Sequence, residues 1–296
     1  MNVYGTNAAH QSIAYTPIKD LEIELTWHAV TNVGLRRETN EDSYVIAPPL
    51  FAVADGMGGH AAGDLASQSV VKRLFDKSKS GSADREDVNE ALVQAVDDIA
   101  KVATVDGDLG AGTTVTGITF GEDTDAPVWD VFNIGDSRVY QCFRGALTKI
   151  TADHSVVQHL IDTGSITEDE AETHPHANVI TRAVGFNEDP IPDYVQLALI
   201  PGQRILICSD GLTKEITDVG IQHFLTAAKD AEEAANELVE QALQNAGRDN
   251  ITVIVVDVHS VGDDMDTTEV PRLLLESEEL EHSVDTADDR STTIDI

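Results

Sequence analysis

Basic side chains are scarce in this chain of 296 residues: 19 Lys and Arg stand against 53 Asp and Glu, a formal net charge of −34. Proteins that grip nucleic acid or anionic lipid neutralise phosphates with clustered Lys and Arg, so neither is an expected partner. Cysteine is limited to Cys142 and Cys208, which excludes a disulfide framework and a multi-thiolate zinc site. Aromatic residues make up 5% of the chain while 41% is hydrophobic, enough for a sizeable core with few rings. No uninterrupted apolar run approaches the ~18 residues of a membrane span. The N-terminal stretch lacks a basic start followed by an apolar run, so no signal peptide is expected. These absences leave a soluble, reduced, cytoplasmic protein without membrane attachment as the expectation.

The acid that is present is unevenly spread. Residues 259–296 hold twelve acidic and two basic side chains, a net of −10, which leaves −24 for the rest. Such a segment cannot bury enough apolar surface to offset its chain entropy, and a disordered acidic tail is expected there. Residues 1–22 are expected to form a flexible arm, with one domain over 23–258. Strand-like runs fall at Leu25–Val33, Leu50–Ala54, Thr113–Phe120, Val128–Ile134, Arg138–Phe143, Val195–Leu199, Ile205–Ser209 and Ile251–Val258. Helical spacing marks Ala61–Phe75, Val88–Val102 and Ala231–Leu243, the last with Gly247 as a natural stop. Short turns between Thr113 and Ile150 predict antiparallel hairpins in a meander. Helices do not follow every strand, which favours an α+β fold of antiparallel sheets covered by helices.

Four times an apolar strand meets a carboxylate in a tight turn: Asp55-Gly56 after Leu50–Ala54, Asp136 after Val131–Gly135, Asp210-Gly211 after Ile205–Ser209, and Asp249-Asn250 just before Ile251. An Asp beside Gly is ordinarily a turn former. Four of them on separate strands suggest more, because strand ends are rigid and a neighbouring Gly lets a ligand approach the backbone closely. Gathered at one edge, they would form a like-charged cluster that requires cations. Carboxylates and carbonyls without paired His or Cys suit hard ions such as Mg²⁺ or Mn²⁺. Upstream, Arg36-Arg37 precedes Glu41-Asp42 in a polar run between two strands. A guanidinium there is suited to holding phosphate oxygens by parallel hydrogen bonds.

Taken in order, GLRRETNEDS, FAVADGMGGHAAGD, GTTV, IGDSR, TADHS, HP, ITRAVG, CSDGL and GRDNITV resemble the bacterial PP2C (PPM) family of metal-dependent protein serine/threonine phosphatases. The likeness covers about residues 25–258. It implies an α-β-β-α sandwich, two antiparallel sheets face to face with helices outside and metals in a cleft at one end. It also implies hydrolysis of phosphoserine and phosphothreonine in proteins by a hydroxide bridging two Mn or Mg ions, opposing bacterial Ser/Thr kinases.

Carried over onto this chain, the family pattern has Asp55 bridging two ions and the Gly56 carbonyl on one of them. Asp210 and Asp249 would ligate the other. Glu41 and Asp42 would act mainly through metal-bound water, and Asp136 with Asp210 would hold a third ion. Arg37, with adjacent Arg36 as the competing choice, would bind phosphate, and Asn250 would support Asp249. The general acid is unassigned, since Met57 stands where the animal branch has His and His60 lies three residues further on. Residues 151–193 would be a flap beside the site, with His154, His159, His174 and His176 as surface groups. Partners would be phosphorylated proteins, kinases and their substrates among them, met by a monomer. A catalytically silent PP2C-like binding module, or a phosphatase confined to one partner, is the alternative.

Overall fold

The computed structural model describes residues 3–58, 62–79, 81, 83–106, 110–186 and 189–262. In chain order the first half contains β1 (Val3–Tyr4), β2 (Ala8–Ala14), β3 (Glu22–Asn32), β4 (Asp42–Ala47), β5 (Leu50–Met57), α1 (Ala62–Ser78), α2 (Arg85–Asp106), β6 (Gly112–Thr113) and β7 (Val115–Phe120). There follow β8 (Val128–Ile134), β9 (Arg138–Phe143), β10 (Ala146–Lys149), α3 (Val156–Asp162), α4 (Glu168–Glu172) and β11 (Asp193–Ala198). The last are β12 (Arg204–Cys208), α5 (Asp210–Thr213), α6 (Asp218–Ala227), α7 (Ala231–Asn245) and β13 (Ile251–Val261).

The strands form two sheets. One runs β1-β4-β5-β7-β8-β11, with β6 on β5; the other runs β10-β9-β12-β13-β3-β2. Every neighbour is antiparallel except β1, which lies parallel to β4. The period-2 alternation of each strand sorts its side chains between two cores. Phe51 and Val53 of β5 enter the layer between the sheets with Trp27, Trp129, Ile205, Ile207, Ile254 and Val256. Leu50, Ala52 and Ala54 of the same strand instead pack under α1 and α2 with Leu74 and Leu92. On the other sheet Leu206, Cys208, Val253 and Val255 meet Leu225, Leu238 and Ala242 of α6 and α7. The α-β-β-α sandwich implied by the resemblance is the observed architecture.

Helix α7 shows how local sequence sets these boundaries. The Asp230 side chain caps it by accepting from the Glu233 amide at 2.9 Å. Its buried stripe is Ala231, Ala234, Ala235, Leu238, Val239 and Ala242. Gly247, at φ +53°, reverses the chain and donates its amide to Ala242 O at 3.0 Å. The Gly247 carbonyl then accepts from the Leu35 amide at 2.7 Å, so the helix end also anchors the loop before β4.

Two expectations are corrected, and one strand lies where none was expected. Residues 1–22, expected as a flexible arm, supply β1 and β2, which complete the edges of both sheets. The short polar runs there give no clean alternation; the open edge of β3 makes AAHQSIA a strand, and that of β4 does the same for Val3–Tyr4. The expected meander from Thr113 to Ile150 breaks in the middle: β7 and β8 pair in one sheet, β9 and β10 in the other. Gly135, at φ +109°, permits the sharp turn that carries the chain across. Finally, β4 begins in the polar run Glu41-Asp42-Ser43. It is buried on both faces, so no alternation betrays it. The acidic tail expectation lies outside the described residues from 263 onward.

Tyr15 tests the corrected N-terminus. It is fully buried, packs at a tilt against Phe120 with ring centroids 5.2 Å apart, and donates its hydroxyl to Asp123 O at 3.1 Å. Tyr15→Ala is expected to cost about 3 kcal/mol in urea denaturation; a loose arm would cost nothing.

Candidate active site

The inward positions that build the inter-sheet core change character at one end of the sandwich. In β5 the series Phe51, Val53 continues to Asp55; in β4 the series Ile46, Tyr44 continues to Asp42. Asp42 and Asp55 are directly paired across the two strands. From the opposite sheet, β12 runs through Ile205 and Ile207 to Ser209, and β13 runs back through Ile254 to Thr252 and Asn250. The two sheets meet here through hydrogen bonds. Ser209 Oγ and Thr252 Oγ1 both donate to Asp42 Oδ2, at 2.8 and 2.7 Å. Asp42 Oδ1 is buried without a partner among the described residues.

Backbone clamps hold the remaining acids. Asp55 is fixed on both sides by the GTTV stretch: its amide donates to Thr114 Oγ1 at 3.0 Å, and its carbonyl accepts from Thr114 N and Thr113 Oγ1, both at 2.9 Å. Thr114 Oγ1 also meets Ser137 Oγ at 2.8 Å, which ties in the turn carrying Asp136. Asn250 joins the loop of Arg37 and Glu41 to β13. Its Oδ1 accepts from the Glu41 amide at 2.9 Å, and its Nδ2 donates to Val33 O and Thr39 O, both at 2.9 Å. The glycines beside the acids do not leave room for a ligand, as their sequence position suggests. At Gly211 an added Cβ would stand 1.9 Å from Asn250 O, and at Gly56 it would stand 2.1 Å from Gly63 O. Protein backbone fills both spaces, so these residues allow α5 and α1 to close on the site.

His154 was expected at the surface and is buried. Its Nδ1 accepts from the Gly135 amide at 3.0 Å and its own amide donates to Gly135 O at 2.9 Å. The proton is therefore on Nε2, which donates to Asp193 Oδ2 at 3.1 Å. His159 and His176 are exposed as expected, while His174 is half-buried. Lys214 is the charged group that sequence reasoning missed. It lies one helical turn beyond Asp210, and its Nζ stands 2.5 Å from Asp210 Oδ2 and 2.9 Å from Asp249 Oδ2. A search for basic residues four positions from each candidate acid would have found it. On the other side, Arg37 Nη2 is 2.8 Å from Asp249 Oδ1 and its Nη1 is 3.8 Å from Glu41 Oε2. The guanidinium on these acids belongs to Arg37; Arg36 is exposed.

The crowding of carboxylates shows in their proton affinities. Burial, reinforced by Asp210 and Asp249 and opposed by its two hydroxyl donors, pushes Asp42 up to about 7. Burial and then the charges of Asp42, Asp210 and Asp136 raise Asp55 well above the carboxylate range. Asp136 is pushed up to about 7 by burial and by Asp210. Glu41 is raised by burial against the pull of Arg37. Asp249 goes the other way: burial disfavours its charge, but Lys214 and Arg37 outweigh it and hold the group below its usual value.

The donors are all oxygens, and among the described residues Asp42 Oδ1 and Asp210 Oδ1 are buried with nothing to accept from. That set fits a hard divalent cation. Among the described residues, no three His, Cys, Asp or Glu side chains close on a common point as they stand. The ammonium of Lys214 occupies the space between two of the carboxylates.

The profile of protein phosphatase 2C matches residues 39–246, a span that includes Glu41, Asp42, Asp55, Asp136 and Asp210. The chain belongs to the protein phosphatase 2C family. It is 40% identical over 237 residues to the serine/threonine protein phosphatase PstP of Mycobacterium tuberculosis, covering 79% of this chain and 45% of PstP. The chain thus spans about half the length of that relative. Against the serine/threonine phosphatase stp of Listeria innocua it is 32% identical over 239 residues, covering 77% of this chain and 93% of stp. The crystal structure of the PstP catalytic domain in complex with two manganese ions superposes with a TM-score of 0.72 at 37% identity, covering 81% of this chain and all of that one. A phosphatase 2C sandwich therefore surrounds the acidic cluster.

The raised carboxyls set a pH dependence. A folded-state value above the unfolded ~3.9 means that the folded chain binds more protons between about pH 4 and 7, so stability falls as pH rises through that window. In chelator, the melting temperature is expected to drop from about pH 5 to about pH 8. Asp42→Asn, which imitates the protonated form, should flatten that slope; a slope unchanged in the variant would contradict the assignment.

Proposed function

We propose that this chain is a metal-dependent phosphatase that removes phosphate from phosphoserine and phosphothreonine in proteins, using two or three Mn²⁺ or Mg²⁺ ions. The observation that carries the proposal is the convergence of Glu41, Asp42, Asp55, Asp136, Asp210 and Asp249 at one end of the inter-sheet layer, with Arg37 at its rim. The manganese complex of the similar PstP domain supports the choice of ion. Asp55, the Gly56 carbonyl, Asp210 and Asp249 are the proposed direct ligands, with Glu41 and Asp42 acting through water and Asp136 joining Asp210 at a third position. When bound, such ions supply a water acidic enough to attack phosphorus near neutral pH and positive charge for the phosphoryl oxygens.

The chain's own groups divide the remaining work. Arg37 is half-exposed and already oriented by two carboxylates, so it can exchange them for two oxygens of an incoming phosphate. Asn250 keeps that arginine's loop fixed to β13, and Thr113 and Thr114 keep Asp55 from turning away. No side chain serves as nucleophile. Ser137 is tied to Thr114, and Cys208 lies in the outer core with its thiol pushed up to about 12 by burial. Both ring nitrogens of His154 are engaged, and His60 lies outside the described residues, so the proton for the leaving group has no protein donor assigned.

The relatives' activity on proteins supports phosphoproteins as substrates, and we place the chain in cytoplasmic signal transduction, acting as a monomer against bacterial Ser/Thr kinases. No described helix is long and apolar enough to cross a membrane. One observation favours the catalytically silent binding module instead, the Lys214 ammonium lodged on two of the acids. Hydrolysis of an aryl phosphate and of a phosphothreonine peptide separates the two. Activity is expected only with Mn²⁺ or Mg²⁺, and is expected to fall about a hundredfold or more in Asp55→Asn and Asp210→Asn. Arg37→Ala should lower kcat/KM about tenfold, as loss of a charge-assisted hydrogen bond does. Full activity in Asp210→Asn would sink the metal-site proposal.

A further inference from the structure

The placement of Lys214 is built rather than incidental. The residue caps the C-terminal end of α5, and its amide donates to Asp210 O at 2.8 Å, so its side chain leaves on the same face as Asp210. Its carbonyl accepts from Arg248 Nη2 at 2.7 Å, while the same guanidinium pairs through Nε with the buried carboxylate of Glu215 at 2.9 Å. The backbone is thereby held from behind while the ammonium faces the acids. Nζ takes one oxygen from Asp210 and one from Asp249, residues brought together from α5 and from the turn just before β13. Its charge also reaches Asp55 and Asp136. In a chain with 19 basic residues, this one is spent on the acidic cluster itself.

An ammonium is a compact point charge that approaches carboxylate oxygens from the directions a small cation takes. It neutralises one charge where a divalent ion neutralises two. Its flexible stem, about a third exposed, lets it swing out to water. Asp210 Oδ1 stays buried beside it with no partner among the described residues, which leaves an oxygen open to an entering ion before Lys214 has let go.

We propose that Lys214 is a resident counter-cation of the metal site: it holds Asp210 and Asp249 together in the metal-free protein, releases at least one of them when a divalent ion enters, and so sets the affinity for that ion. The inference rests on the metal-binding reading above and goes beyond it. It makes the metal-free state an organised one, in which a lysine takes a position that an ion later claims. Competition of this kind weakens metal binding while protecting the empty site from its own repulsion.

Isothermal titration of Mn²⁺ into chelator-stripped protein tests it, with Lys214→Met (stem kept, charge removed) and Lys214→Arg (charge kept) beside the natural chain. Lys214→Met is expected to bind Mn²⁺ about tenfold more tightly, in line with what a neighbouring opposite charge does to a carboxylate's cation affinity. The same variant should melt at a lower temperature without metal and gain more on adding it. Lys214→Arg should stay close to the natural chain. Unchanged or weaker Mn²⁺ binding in Lys214→Met would overturn the proposal, whereas absence of Mn²⁺ binding in the natural chain would overturn the metal reading as well. Should Lys214→Met fail to fold without metal, the lysine ammonium resonances of the natural chain decide. The signal missing from Lys214→Arg is expected to be protected without metal and to shift or vanish on titrating Mg²⁺; a signal indifferent to Mg²⁺ contradicts the proposal.

Discussion

Mutual repulsion among buried and half-buried carboxylates is the constraint around which this end of the molecule is arranged. Six acids enter from β4 and the residue before it, from β5, from the start of α5, and from the turns after β8 and before β13, and burial makes each charge costly unless something opposes it. Within the protein the opposing groups are few. Two hydroxyls serve one oxygen of Asp42, Arg37 serves Glu41 and Asp249, and Lys214 serves Asp210 and Asp249. Among the described residues, Asp55 and Asp136 have no such partner of opposite charge in contact, and burial together with the neighbouring carboxylates raises their affinity for protons. A site in that condition favours any cation able to reach it.

The sandwich supplies the rigidity that such a site needs. Each strand beside which an acid stands is anchored a few residues away in the apolar layer between the sheets, where Phe51, Trp129, Ile207 and Ile254 are fully buried. The cost of gathering the charges is thus offset by burial elsewhere along the same strands, as is usual where local strain and function coincide. Backbone contacts do the fine positioning. Asn250 reaches residues more than 200 positions earlier to fix the Arg37 loop, and Gly211 and Gly56 allow two helices to approach where no side chain would fit.

Much of this could be read from the chain before the fold was known, and the parts that could not share a cause. Asp55, Asp136, Asp210 and Asp249 announce themselves because each ends or begins an apolar run, a local signal. Strands β8 and β9 match their sequence bounds because each is a run rich in β-branched and aromatic residues closed off by Pro127, Gly135 or Gly145. Strand β4 is buried on both faces and opens with acids, so period-2 reasoning passes over it. The crossing of the chain from one sheet to the other at Gly135 looks like a hairpin in sequence, since nothing local says which sheet the next strand will join. His154 resembles a surface histidine until the Gly135 amide is placed against it. Lys214 is one residue in a soluble-looking stretch, and its meaning depends on Asp249, 35 positions away.

Crystals grown with Mn²⁺ and measured at the manganese absorption edge put the central claim to the most direct test. The account predicts anomalous peaks in contact with the carboxylates of Asp55, Asp210 and Asp249, with the Lys214 ammonium moved off at least one of the latter two. Density for Lys214 still bridging Asp210 and Asp249, with no anomalous peak among the acids, would contradict it.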